Sequence, residues 1–323
     1  MPPPHLLTTA QLNGAQLRRL VLGAIQHKQT TFPLQHRPLV GASAALLFSK
    51  RSTRTRVAAE AALAHLGVHP LFLASQDIQL GENESLKDTM RVLSRLCSAV
   101  IARVHSHDIL QDMAQHSSVP ILNALSDSYH PTQLVADVLT MHEHRAQSLP
   151  SALPHDTLAG VKVAWVGDGN NILHELMVGL PPLGIHLAYA TPSTYLPDPR
   201  IVALGEQRAR QYHTELYHST HPKDVVQHAD FILTDTWISM GQESEKQARI
   251  HAFQGYQVTR ELCDQYAKPS WRFMHCLPRK QEEVTDDVFY DDQRSLVWQE
   301  AENRKWSMLA ILQAMLVDKA FLE

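Results

Sequence analysis

The sequence predicts an α/β protein: two doubly wound parallel-sheet domains joined by a linker, with a last helix that packs back on the first domain. Three observations predict it. Short apolar runs of strand length alternate with longer helix-like segments along almost the whole chain, the pattern of βαβ units. The length, 323 residues, suits two domains of about 150 residues each. A polar stretch with two prolines, AQSLPSALPHDTLAG at 146–160, separates two series of such runs.

The first series reads strand at Ala44–Phe48, helix at Thr53–Leu66, strand at Val68–Ala74 and helix at Glu84–Leu96. Strand Ala99–Val104, helix His107–His116, strand Pro120–Leu125 and helix Pro131–His144 follow. Gly67 stands where a helix C-terminal cap belongs, and Ser85 with Asp88 suits a capping box. The second series places strands at Val161–Val166, Ile185–Ala190, Thr214–Tyr217, Phe231–Leu233 and Phe273–Met274. A polar segment at Gln242–Ala248 reads as a loop that moves as a lid, and the last helix runs over about Asn303–Phe321. The expected domains are 1–146, with 303–323 returning to it, and 147–302.

Composition narrows the function. With 29 basic and 33 acidic residues the net charge is −4, which does not suit a nucleic-acid binder. No apolar run reaches the roughly 18 to 20 residues of a membrane span. Cys97, Cys263 and Cys276 form no close CxxC pair, so neither a disulfide framework nor a structural zinc site is expected, and a reducing compartment fits. Histidine is frequent, yet HExxH is absent and the pairs His105/His107 and His142/His144 lack further ligands; no metal site is expected. The start, Met1-Pro2-Pro3-Pro4, has neither the form of a signal peptide nor that of an Arg/Ser-rich transit peptide, so no presequence is visible.

The stretch SKRSTRTR at 49–56 follows the first apolar strand and opens a helix. Ligands of parallel sheets sit beyond the carboxyl ends of the strands. A helix N-terminus there offers unpaired N–H groups and partial positive charge. Hydroxyls of Ser52, Thr53 and Thr55 add donors, and the Arg54 guanidinium adds a planar fork for phosphate oxygens. The bland alternative is a capped, exposed helix start with Arg56 and Glu60 paired one turn apart. A second glycine-bearing turn, Gly167-Asp168-Gly169-Asn170-Asn171-Ile172, follows a strand but lacks the third glycine of a dinucleotide fingerprint.

Ser52-Thr53-Arg54-Thr55-Arg56 resembles the phosphate-binding signature of the aspartate/ornithine carbamoyltransferase family. His130-Pro131-Thr132-Gln133, Asp235-Thr236-Trp237-Ile238-Ser239-Met240-Gly241, His275-Cys276-Leu277-Pro278-Arg279 and Glu300-Ala301-Glu302-Asn303-Arg304 agree with that family in the same order. The resemblance covers nearly the whole chain and favours the members that use ornithine. It implies transfer of a carbamoyl group from carbamoyl phosphate to the δ-amino group of L-ornithine, giving L-citrulline and phosphate, as in arginine biosynthesis and the urea cycle. It implies no metal and no organic cofactor.

By the same resemblance, Ser52, Thr53, Arg54 and Thr55 hold the phosphate, while Arg103, His130 and Thr55 face the carbonyl oxygen. Gln133 and the Leu277 backbone carbonyl take the carbamoyl NH2, and Arg304 meets the phosphate or carbonyl region. Asn171, Asp235, Ser239 and Met240 hold ornithine. Cys276 lies between the carbonyl and the attacking amine, and with Asp235 favours the uncharged amine; no covalent cysteine intermediate is implied. Catalytic roles fall to Cys276, Arg103, His130 and Asp235. The polar loop at 75–89 reaches a neighbouring subunit's site through Gln79, which implies a homotrimer. The family's eukaryotic members occur in the mitochondrial matrix or, in some fungi, the cytoplasm.

The residues also discriminate among acceptors. Ornithine carries an α-ammonium and one carboxylate, and Asp235 complements the ammonium. Aspartate would require a further cation, and 235–241 contains no Arg or Lys. Putrescine lacks the α-carboxylate, and acylated ornithines lack the ammonium. Two rival readings are a nicotinamide-dependent oxidoreductase using the Gly167–Asn171 turn and a catalytically idle regulatory relative.

Overall fold

The computed structural model describes residues 3–30, 37–74, 84–147, 153–238 and 243–318. The chain divides into two compact units, Met1–Leu139 with Glu302–Glu323, and Thr140–Ala301. Gln79, Ser239 and Met240 lie outside the described residues.

In the first unit four parallel strands, β1 (Ser43–Phe48), β2 (His69–Ala74), β3 (Ala99–Arg103) and β4 (Ile121–Leu125), form a sheet in the order β2-β1-β3-β4. The helices are α1 (Gly14–Gln29), α2 (Thr53–Leu66), α3 (Leu86–Leu96), α4 (His107–His116) and α5 (Pro131–Ala146), the last of which continues into the second unit. Alternate apolar residues make the core: Ala45 and Leu47 of β1 and Val100 and Ala102 of β3 pack with Met90, Leu110 and Met113 of the helices. Strand order reverses between β1 and β3. With right-handed crossovers that reversal sends helices to opposite faces of the sheet and opens a crevice at the strand ends.

The second unit repeats the scheme. Strands β5 (Lys162–Val166), β6 (His186–Ala190), β7 (Leu216–Ser219), β8 (Phe231–Thr234) and β9 (Arg272–His275) are parallel in the order β7-β6-β5-β8-β9, with the reversal between β5 and β8. The helices are α6 (Pro154–Leu158), α7 (Asn171–Gly179), α8 (Pro199–Gln211), α9 (Pro222–Val226), α10 (Lys246–Ala252), α11 (Arg260–Tyr266), α12 (Asp286–Phe289) and α13 (Val297–Leu316). Val166, Ile232 and Phe273 of the strands pack with Phe253 and Trp271 in its core. From Glu302 onward α13 belongs to the first unit, the return expected of the last helix. Among the described residues no helix is long and apolar enough to cross a membrane.

Most strand boundaries differ from the sequence reading by a residue or two, β7 lying at Leu216–Ser219 rather than Thr214–Tyr217, and three helical segments differ for a local reason. Helix α3 starts at Leu86 because Ser85 caps it, its Oγ accepting the Asp88 N–H at 3.1 Å. Helix α13 starts at Val297, six residues before Asn303, since Trp298–Glu302 contains no helix breaker. The described part of 242–248 is helical rather than loop: a 3-10 turn at Glu243–Glu245 leads into α10, whose Lys, Gln and Ala are strong helix formers. Helix α13 ends at Leu316, before the expected Phe321: Val317 and Asp318 already form a turn.

Candidate functional site

In the first unit, register brings the pieces together. Phe48 pairs with Arg103 across β1 and β3, and the next residue's N–H, that of Ser49, donates to the Arg103 carbonyl at 2.8 Å. Arg103 therefore stands beside the strand end from which residues 49–52 lead into α2. Ser52 is the N-cap of α2, with Oγ accepting the Thr55 N–H at 3.2 Å. Arg56 takes the structural role open to it: Nε pairs with Glu60 at 2.9 Å and the guanidinium lies 3.6 Å from the Phe72 ring centroid.

Thr55 is buried, and its Oγ1 accepts from Arg103 Nη1 at 3.4 Å and from Arg304 Nη2 at 3.5 Å. Arg304 also donates to Gln133 Oε1 at 2.5 Å and to Thr132 Oγ1 at 3.3 Å, and Thr132 Oγ1 lies 3.3 Å from His130 Nδ1. Ser52, Thr55, Arg103, His130, Gln133 and Arg304 are thus linked in one cluster, with Thr53 and Arg54 in the same first turn of α2. Burial, then the charges of Arg304 and Arg103, hold His130 well below the usual histidine range, so it is neutral at pH 7. Burial and the Arg103 charge also lower Lys50, with Asp127 opposing. Buried guanidinium groups beside a neutral imidazole suit an anion with a polarised carbonyl.

In the second unit Thr234 pairs with His275 across β8 and β9, so the residues that follow, Asp235 and Cys276, emerge side by side. Cys276 Sγ donates to Asp235 Oδ1 at 3.2 Å, and the Thr236 N–H donates to the same oxygen at 2.7 Å. Asn170 Nδ2 donates to Asp235 Oδ2 at 3.0 Å. The Oδ1 of Asn170 accepts the N–H groups of Ile172 and Leu173, capping α7, whose first residue is Asn171. Leu277 has φ 61°, a left-handed conformation rare for leucine, and its N–H donates to His275 Nδ1 at 2.9 Å.

Asp235, His275 and Cys276 bring one possible metal-ligand atom each within 4.8 Å of one another. His275 does not suit that role, because its Nδ1 accepts the Leu277 N–H and its Nε2 faces Glu283 at 3.3 Å. The glycine turn after β5 has a packing reason. A Cβ at Gly169 would come within 2.3 to 2.6 Å of the backbone of Tyr195, Leu196 and Pro197. The space that a dinucleotide fingerprint keeps open for pyrophosphate is filled here by protein backbone.

Sequence reasoning missed several residues. Asn170 carried a signal, an Asn directly before a helical run. Asp168 and Arg249 carried none: they meet at 3.1 Å with both side chains buried, and Arg249 also donates to the Trp237 carbonyl at 2.9 Å, tying the glycine turn to the segment after Asp235. Burial raises Asp168 to about 6, against the pull of Arg249.

Comparison with known proteins agrees with this geometry. Residues 4–143 match the family described as aspartate/ornithine carbamoyltransferase, carbamoyl-P binding domain, and residues 159–315 match its Asp/Orn binding domain. A mitochondrial ornithine transcarbamylase of Gallus gallus is 47% identical over 315 residues, covering 97% of this chain and 86% of that one. A mitochondrial ornithine carbamoyltransferase of Coccidioides immitis is 46% identical over 329 residues, covering 98% and 94%. The crystal structure of a mitochondrial ornithine carbamoyltransferase from Coccidioides immitis superposes with a TM-score of 0.89 at 43% identity over 98% of each chain. That of ornithine carbamoyltransferase from Pyrococcus furiosus gives 0.87 at 41% identity, covering 97% and 96%. With both of its halves matched and full-length relatives well above 30% identity, the chain belongs to the aspartate/ornithine carbamoyltransferase family.

Proposed function

We infer that the chain is a carbamoyltransferase that moves the carbamoyl group of carbamoyl phosphate to the δ-amino group of L-ornithine, giving L-citrulline and phosphate. The observation that carries the choice of acceptor is the Asp235 carboxylate at the end of β8, in a segment, 235–241, without Arg or Lys. A zwitterion with one carboxylate and an ammonium fits it; a dicarboxylate does not.

In this reading residues 1–146 with 303–323 form the carbamoyl phosphate domain, and 147–302 the ornithine domain. Ser52, Thr53, Arg54 and Thr55 bind the phosphate at the N-terminus of α2. Arg103, His130 and Thr55 take the carbonyl oxygen; each donor aimed at a developing oxyanion is worth about 3 kcal/mol. Arg304 supports both regions. Gln133 Oε1 and the Leu277 carbonyl accept from the carbamoyl NH2. Asn171, Asp235, Ser239 and Met240 hold ornithine.

The δ-ammonium must lose a proton before attack, since a lysine-like amine has a reference pKa of about 10.4. The Cys276–Asp235 pair favours the amine in its uncharged form. The nitrogen lone pair then attacks the carbonyl carbon, a tetrahedral oxyanion forms, the C–O bond to phosphate breaks, and the nitrogen sheds its second proton. Gln79 completes a neighbouring subunit's site in a homotrimer, and the enzyme works in the mitochondrial matrix, a reading supported by the mitochondrial names of the Gallus and Coccidioides relatives. A citrulline assay with ornithine, aspartate and putrescine as acceptors tests the reaction. Product from ornithine alone supports it; a ureido product from aspartate or putrescine, or none from ornithine, contradicts it.

A further inference from the structure

We propose that Asp137 is a positioning residue that makes Gln133 an obligatory hydrogen-bond acceptor toward the carbamoyl group, so that the enzyme tells an NH2 substituent from a methyl group. This rests on the reading that Gln133 faces the carbamoyl NH2.

Gln133 and Asp137 stand four residues apart on α5, on one face of the helix, and both are 1% exposed. Gln133 Nε2 donates to Asp137 Oδ1 at 2.7 Å, and Gln133 Oε1 accepts from Arg304 Nη1 at 2.5 Å. An ionised carboxylate has only acceptors, and a guanidinium only donors. Turning the amide over would set oxygen against oxygen and NH2 against guanidinium, leaving buried polar groups unmatched. The orientation is fixed from both ends, and Asp137 fixes the end remote from Arg304. A carbonyl oxygen has two lone pairs, so Oε1 can accept from a substrate NH2 while it accepts from Arg304. With the amide turned over, NH2 would meet NH2 and the preference would be lost. Asp137 touches neither phosphate nor acceptor in this scheme; it acts only through Gln133.

Acetyl phosphate has CH3 where carbamoyl phosphate has NH2, and it reads out this contact. The test measures the ratio of the acetyl phosphate inhibition constant to the carbamoyl phosphate KM in the full-length enzyme, with the phosphate inhibition constant alongside. In D137N the side chain at 137 can donate as well as accept, and the amide is released to turn. The ratio is expected to fall at least tenfold while the phosphate constant and the ornithine KM stay within threefold of wild type. D137S, whose hydroxyl also donates and accepts, gives the same comparison should the amide variant fold poorly. Q133M is the control for the underlying reading. A collapsed ratio in Q133M with an intact one in D137N and D137S overturns the role of Asp137 alone. An intact ratio in Q133M overturns both the placement of Gln133 and the inference. In a double variant, D137N is expected to add no further loss to Q133M.

Discussion

Asp235 receives hydrogen bonds from its neighbour's backbone, from Cys276 at the end of β9, and from Asn170 before α7. Each donor arrives from a different strand end, so the carboxylate is held in place before any ligand binds. Removing the thiol should therefore affect the acceptor more than the donor. Cys276→Ser is expected to lower kcat/KM for ornithine by about tenfold to a hundredfold, with carbamoyl phosphate KM changed less, as initial-rate kinetics would show. Equal values in both substrates would contradict the assignment. Asn170→Ser separates packing from positioning, because serine is also a good N-cap. The variant should melt within a few degrees of wild type yet show an ornithine KM raised about tenfold, the worth of one charge-assisted hydrogen bond. The motif residues were legible because their types match a phosphate and a zwitterion. Asn170 and Asp137 were not, because a helix cap and a buried helix-face carboxylate look ordinary until their partners, distant in sequence, are known.

At the scale of elements, α2 carries the main anion-binding turn, and both of its ends are set by local chemistry. Ser52 caps the start and Gly67 ends it at φ 83°, where a Cβ would come within 2.9 Å of Arg37 Cβ. Gly67→Ala combines a positive φ with a steric clash and should destabilise by about 2 kcal/mol, measured by urea unfolding. A loss near zero would contradict the cap assignment. Its bounds, Thr53–Leu66, were readable in the sequence from the serine before it, the glycine after it and the apolar spacing between. Helix α10 was not readable as a helix, because its polar composition carries no apolar stripe. Its order rests on Arg249, whose partners are Asp168, the Trp237 carbonyl and Glu245. The start of α13 was hidden for a similar reason: Glu300, in its first turn, is buried and accepts the His275 N–H at 2.8 Å.

For the molecule as a whole, each unit places part of its candidate residues where its strand order reverses: Ser52–Thr55 and Arg103 after β1 and at the end of β3, and Asn171 and Asp235 after β5 and β8. The alternation of runs foretold two parallel sheets. The order of strands within each, and hence which loops meet, depends on long-range pairing that periodicity does not encode. Global stability carries a pH signature. Burial lowers His130 well below the ordinary range and His144 to about 4, with His5, His107 and His142 lowered as well. Below about 6.5 the unfolded chain takes up protons that these folded sites refuse, so stability falls as pH drops from 6.5 toward 4. Asp168, raised to about 6, acts in the opposite sense between about 6 and 4, since its folded form binds the proton more tightly. Several histidines outweigh one carboxylate, and the urea midpoint is expected to be lower at pH 5 than at pH 7. A midpoint independent of pH would contradict the buried neutral histidines.

The central claim is a division of charge: a cationic turn in the first unit for the phosphate donor, and an acidic strand end in the second for the amino-acid acceptor. Side-by-side kinetics of Arg54→Gln and Asp235→Asn test it most directly. The expected pattern is crossed: Arg54→Gln raises the carbamoyl phosphate KM by about a hundredfold and leaves that of ornithine within about threefold, while Asp235→Asn does the reverse. Variants that impair both substrates alike, or in the swapped order, would contradict it.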